Sequence, residues 1–162
     1  MKIRLIITGG TFDKDYDVLK GELSFKQSHL PGILEQIRCT LPVSLEINQL
    51  IDSLEMGPED RQKILTSCIA APEKHILITH GTDTMIDTAA VLGKAALEKT
   101  IVMTGAMVPY AVSNSDAVFN LGCGFCAVQL LERGVYIAMN GRIFPWDGVR
   151  KNYSLGIFEA VD

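Results

Sequence analysis

Apolar and polar positions change period along this chain, and the changes mark out alternating strands and helices. Residues 2–8 hold the largely apolar run Ile3 to Ile7 and end at Thr8-Gly9-Gly10-Thr11, the pattern of a buried strand leaving through a glycine turn. Residues 9–28 are polar, with Asp13, Asp15, Tyr16, Asp17 and Gly21, and read as a long lid-like loop. Ser28 is placed to cap a helix over 30–40, with Pro31 in its first turn. Residues 43–50 alternate as a strand, Asp52-Ser53 follows in a loop, and Gly57-Pro58-Glu59-Asp60 opens a helix reaching 71. Residues 75–79 form a third strand, 85–97 a helix and 100–104 a fourth strand ending at Gly105. A loop with Pro109 leads to the longest helix, 115–132, which Gly134 stops. Residues 135–139 are a fifth strand, 142–146 a short extra one, and 157–161 an edge strand or tail.

Strands separated by helices of this length form βαβ units and a parallel sheet. Leu5-Ile6-Ile7 and Ile76-Leu77-Ile78 are continuously apolar, as strands covered on both faces are. The fold expected is a three-layer α/β/α sandwich with a mainly parallel, flavodoxin- or Rossmann-like sheet. No repeat, low-complexity stretch or interdomain linker divides the chain, so 1–162 reads as one domain.

In such a sheet, ligands bind beyond the carboxyl ends of the strands where strand order reverses. Flavodoxin-like order makes strands one and three neighbours there. Thr8-Gly9-Gly10-Thr11 and Thr79-His80-Gly81-Thr82-Asp83-Thr84-Met85 would then face each other across one crevice. A threonine hydroxyl needs a base to take its proton and donors for the developing oxyanion. Glycine turns bring backbone N–H groups close to a ligand. Asp83 could hold an ammonium or orient a lysine, and Lys151 is the lysine available. One threonine at a turn is more often a local cap; two at neighbouring strand ends, each beside glycine, point to acyl-group chemistry. Taken alone, Lys151 reads as a solvated surface lysine.

Composition narrows the partners. Hydrophobic residues are 48% of the chain and charged residues 21%, as in a folded domain rather than a disordered one. Net charge is −4 and no basic stripe stands out, which argues against nucleic acid. No apolar run approaches a membrane span, and the start lacks the pattern of a secretory signal, so a cytoplasmic chain is expected. Cys123-Gly124-Phe125-Cys126 lies inside a predicted helix and reads, with Cys39 and Cys68, as buried structural thiols. The three histidines show no ligand spacing, so no metal site is expected. Gly9-Gly10 lacks the third glycine and the helix of a dinucleotide fingerprint, and no phosphate-binding loop occurs, so no cofactor is expected.

Several segments together resemble the bacterial-type L-asparaginases of the asparaginase/glutaminase family. They are Thr8-Gly9-Gly10-Thr11, Asp52-Ser53 with Met56, Thr79 to Met85, and Thr104-Gly105-Ala106-Met107 with Pro109; Asp116, Asn120-Leu121, Met139-Asn140 and Lys151 follow in order. The resemblance implies Thr11 as nucleophile on a side-chain amide and Tyr16 as its activating partner. It implies a second catalytic group of Thr82, Asp83 and Lys151. Substrate contacts would come from Gly10, Asp52, Ser53, Gly81, Thr82, Asp83 and Ala106, with Ser53 and Asp83 on the α-carboxylate and α-ammonium. The implied substrate is asparagine or a similar small amide. Members carry a smaller second domain that 1–162 is expected to lack, and they associate, so a homodimer or larger homo-oligomer is expected. Phe12 replaces the usual isoleucine, Leu54 a polar residue, and Asp116-Ala117-Val118 an Asp-Gly-Pro. Those departures keep open an alternative: a weak or inactive module binding an amino acid in the same crevice.

Overall fold

A computed structural model describes residues 1–161. Its core is a six-stranded sheet of order β4-β1-β5-β6-β7-β8, comprising β1 (Ile3–Gly9), β4 (Val43–Ile51), β5 (His75–Thr79), β6 (Thr100–Thr104), β7 (Gly134–Met139) and β8 (Arg142–Pro145). The first five pair in parallel and β8 closes the edge antiparallel to β7. In order along the chain, the five parallel strands lie 2-1-3-4-5, so the order reverses between β1 and β5.

Four helices cover the sheet: α1 (Leu30–Gln36), α2 (Pro58–Ala70), α3 (Met85–Lys94) and α4 (Ala117–Leu130). Strand side chains alternate between faces, and two core clusters follow from that alternation. Ile6, Ile76, Ile78, Ile101 and Met103 pack with Ile64 and Cys68 of α2 and Met85, Ala89 and Leu92 of α3. Leu5, Ile7, Leu77 and Val102 pack on the other face with Leu30 and Ile33 of α1 and Leu121, Phe125 and Val128 of α4. The expected sandwich is therefore the observed fold.

Three local expectations are corrected. The segment 9–28 is not structureless: a 3-10 turn at Thr11–Asp13 leads into a hairpin of β2 (Lys14–Asp17) and β3 (Glu22–Phe25), whose pairs include Tyr16 with Leu23. Its polar residues satisfy their backbone groups in a two-stranded ladder, which composition does not reveal. Second, α1 ends at Gln36, because Arg38 adopts φ 54° and turns the chain. Third, residues 149–160 form a hairpin of β9 (Val149–Asn152) and β10 (Ile157–Ala160), so Lys151 lies on a strand rather than in a loop. The cysteines also differ from expectation. Only Cys68 is buried, with its thiol pushed up to about 12 by burial, while Cys126 is exposed on α4.

Candidate active site

The carboxyl ends of β1, β4 and β5 converge at the point of order reversal. Ile7 pairs with Thr79, and the Thr8 hydroxyl donates to the Thr79 carbonyl at 2.8 Å, locking β1 to β5 just before both chains turn. Gly10 adopts φ 73°, a conformation that suits glycine. A Cβ at Gly10 would collide with the Cα and N of Gly81. The two turns thus touch backbone to backbone, and Thr11 and Thr82 each lie one residue beyond the contact. A Cβ at Gly81 would in turn meet Ser53 Oγ at 2.5 Å, so the loop after β4 closes the third side.

Lys151 reaches this crevice from β9. Its Nζ donates to Thr82 Oγ1 at 2.9 Å and to Asp83 Oδ1 at 2.5 Å. The Lys151 side chain is 5% exposed, which overturns its reading as a solvated surface lysine. The hairpin explains the change: Lys151 pairs with Phe158, which is buried in the core, so β9 is held against the body. Asn140 tightens the same joint, accepting the Phe158 N–H at 2.8 Å.

Ser53 is buried, and its hydroxyl has no hydrogen-bond partner among the described residues. Buried hydroxyls are nearly always paired, so an orphan beside Gly81 marks a place for a polar ligand atom. The Thr84 hydroxyl donates to the Ser53 carbonyl at 2.7 Å and fixes the loop to the start of α3. Asp52 faces another way: its carboxylate accepts the Leu54 N–H at 3.0 Å and pairs with Lys14 at the base of the β2–β3 hairpin. Burial pushes the Asp52 carboxyl up, but the Lys14 hydrogen bond and charge, with the Leu54 N–H, bring it below the usual aspartate range.

Tyr16 is not brought to the threonines. It is 57% exposed, and its hydroxyl lies beside Gly21 at the hairpin's own turn. Ala106 is buried in the loop after β6. That loop is shaped by Asp116, whose carboxylate accepts the N–H groups of Met107 and Val108 at 2.9 to 3.0 Å, and by Asn120, which donates to the Gly105 carbonyl at 3.0 Å.

Sequence reasoning missed His80. It is fully buried, with Nδ1 at 2.8 Å from the Gly81 carbonyl and Nε2 at 2.9 Å from the Thr88 hydroxyl. Burial holds its pKa down to about 4, against the Gly81 hydrogen bond that raises it; nearby Arg61 lowers it further. A neutral imidazole thereby orients the peptide between Gly81 and Thr82. The signal was its place inside the Thr-His-Gly-Thr turn, not any ligand spacing. Among the described residues no group of three or more His, Cys, Asp or Glu could hold a metal ion, and no helix is long and apolar enough to cross a membrane.

An α/β sheet with glycine–threonine turns at its switch point and a buried lysine against the second of them defines the class of protein. Residues 2–160 match the family described as "Asparaginase, N-terminal", and the chain belongs to that family. It is 30% identical to the L-asparaginase of Thermococcus kodakarensis over 100% of this chain and 52% of that protein, and 30% identical to L-asparaginase 1 of Escherichia coli over 98% of this chain and 49% of that one. Its fold matches the solved T. kodakarensis enzyme with a TM-score of 0.85, covering 99% of this chain and 51% of that one at 29% identity. A probable cytoplasmic L-asparaginase of Campylobacter jejuni gives 0.83, covering 98% and 52% at 29% identity. The chain spans about half the length of the curated relatives it matches.

Proposed function

We propose that this chain carries the catalytic machinery of an asparaginase-type amidohydrolase, acting in the cytoplasm on asparagine or a similar small amide. The observation that carries the reading is the buried Lys151 ammonium on Thr82 and Asp83, one residue from the contact between Gly81 and Gly10. Thr11 Oγ attacks the side-chain amide carbon, its proton passing to the leaving nitrogen, and ammonia departs to leave a threonyl ester. Water then attacks the ester, releasing aspartate and restoring the Thr11 hydroxyl. Thr82 relays the proton of that water. The Lys151 ammonium beside its oxygen stabilises negative charge developing there, which a buried cation does more strongly than one in bulk water. Ser53, with its unpaired hydroxyl, takes the substrate α-carboxylate and Asp83 the α-ammonium. Gly10, Gly81 and Ala106 line the pocket with backbone, and Asp52 holds the Ser53 loop in place. Tyr16 serves Thr11 only if the β2–β3 hairpin moves inward, since it now faces Gly21. Relatives named as L-asparaginases support the substrate class. The working unit is a homodimer or larger homo-oligomer.

The test is ammonia release from L-asparagine by the wild type, Thr11→Ala and Thr82→Ala. Each variant is expected to lose turnover by about a thousandfold or more, since it removes the nucleophile or its partner. A folded wild type that releases no ammonia from asparagine or glutamine at high enzyme concentration would overturn the reading. A second reading, an amino-acid-binding module, draws on Ser53: its buried, unpaired hydroxyl suits a carboxylate whether or not turnover follows. Thermal stabilisation by aspartate without turnover would favour it.

A further inference from the structure

The turn between β9 and β10 lays one aromatic side chain over the site. Asn152 Oδ1 accepts the N–H groups of Ser154 and Leu155, each at 3.1 Å, and the Gly156 N–H donates to the Asn152 carbonyl at 2.9 Å. Gly156 takes φ 65°, so the turn is tight and its direction is set. Tyr153 is the first residue of this turn, directly after β9 and two residues beyond Lys151. Its ring centroid lies 5.0 Å from Lys151 Nζ. Its hydroxyl donates to the Asp83 carbonyl at 3.0 Å. An exposed tyrosine ordinarily samples several rotamers in water. Tyr153 is 69% exposed, yet both ends of its side chain are engaged, while the lysine beneath is almost wholly covered.

We propose that Tyr153 is a positioning residue that roofs the Lys151 ammonium with its ring and pins Asp83 with its hydroxyl. The ring face attracts the cation and keeps water from it. The hydroxyl holds the backbone of the residue that grips the substrate ammonium. The two halves of the side chain therefore serve different steps. Loss of the hydroxyl loosens Asp83 and is read in KM. Loss of the ring also frees Lys151 from Thr82 and is read in kcat. This catalytic consequence rests on the amidohydrolase reading; the roof over Lys151 does not.

The experiment compares the wild type, Tyr153→Phe and Tyr153→Ala in the full chain. Lys151 acetylation by acetic anhydride is followed by peptide mass spectrometry, with exposed Lys20 as internal reference, and kcat and KM are measured for L-asparagine. Tyr153→Ala is expected to label Lys151 several-fold faster than wild type, and Tyr153→Phe at the wild-type rate. Tyr153→Phe is expected to raise KM about fivefold, the worth of one hydrogen bond. Tyr153→Ala is expected to lower kcat about fivefold as well. A folded Tyr153→Ala that labels Lys151 at the wild-type rate overturns the proposal. So do unchanged kcat and KM in an otherwise active Tyr153→Ala. A wild type without turnover sinks the amidohydrolase reading instead, and the labelling then still decides whether Tyr153 covers Lys151.

Discussion

Gly10 and Gly81 determine how closely the two threonines approach, and His80 holds the second turn in shape. That histidine gives the molecule a pH dependence whose sign can be worked out. In the unfolded chain an imidazole gains its proton near pH 6.5. In the folded chain His80 stays neutral until about 4. Between these values the unfolded state binds more protons, so stability falls as pH falls. The span corresponds to roughly 3 kcal/mol. Asp13 opposes it: burial raises its pKa, partly offset by the His29 N–H and the Ser28 hydroxyl, so its folded form holds the extra proton and gains stability as pH drops through its folded pKa. Urea unfolding at pH 7, 5.5 and 4 should show a net loss of stability, and His80→Asn should flatten that slope. An equal slope in the variant would remove His80 as the cause.

Among the elements, the β2–β3 hairpin has few ties to the body. Its base is held by Lys14 on Asp52, and the 3-10 turn before it by Asp13, which accepts the Ser28 hydroxyl at 3.0 Å and the His29 N–H at 2.9 Å. The Lys14 pair is partly exposed and so contributes modestly to global stability, on the order of 1 kcal/mol. Locally it counts for more, because it shares the anchoring of the hairpin with one further pair, His29 at the start of α1 on Asp15 at 3.1 Å. Lys14→Met should therefore speed amide exchange across residues 14–25 and leave the unfolding midpoint nearly unchanged. Slow exchange retained in the variant would show that another contact anchors the hairpin. The element is also where sequence reading failed most. Its strands are only four residues long, and the alternation of Leu23 and Phe25 with Glu22 and Ser24 is too brief to stand out from the polar residues around it. The central strands β1, β5 and β6, buried on both faces, could not be mistaken.

At the scale of the whole molecule, α4 is apolar on almost every side, yet only one side meets the sheet. Phe119 and Leu130 remain 61% and 83% exposed on its outer side, with Cys126 between them. Uncovered apolar surface of this kind favours association. Sedimentation should give a mass above the 17.7 kDa of a single chain, and Phe119→Glu with Leu130→Glu should lower it. A monomeric wild type at micromolar concentration would count against the homo-oligomer.

The order of strands, the parallel sheet and the pair of glycine–threonine turns were legible in the amino-acid sequence, because they rest on local periodicity and on turns that only glycine makes easily. Thr11, Thr82 and Asp83 were named for the same reason, each following a recognisable strand, whereas Ser53 was named only through the family resemblance. What only the tertiary structure decided lies across distance. The burial of Lys151 depends on a hairpin joining residues far from Thr82 in sequence, and on Phe158 reaching the core. The fixing of the Tyr153 hydroxyl on the Asp83 carbonyl and the seating of Ser53 against Gly81 are likewise contacts between segments. Local periodicity carries no record of them, because their energies arise only once the chain has closed on itself.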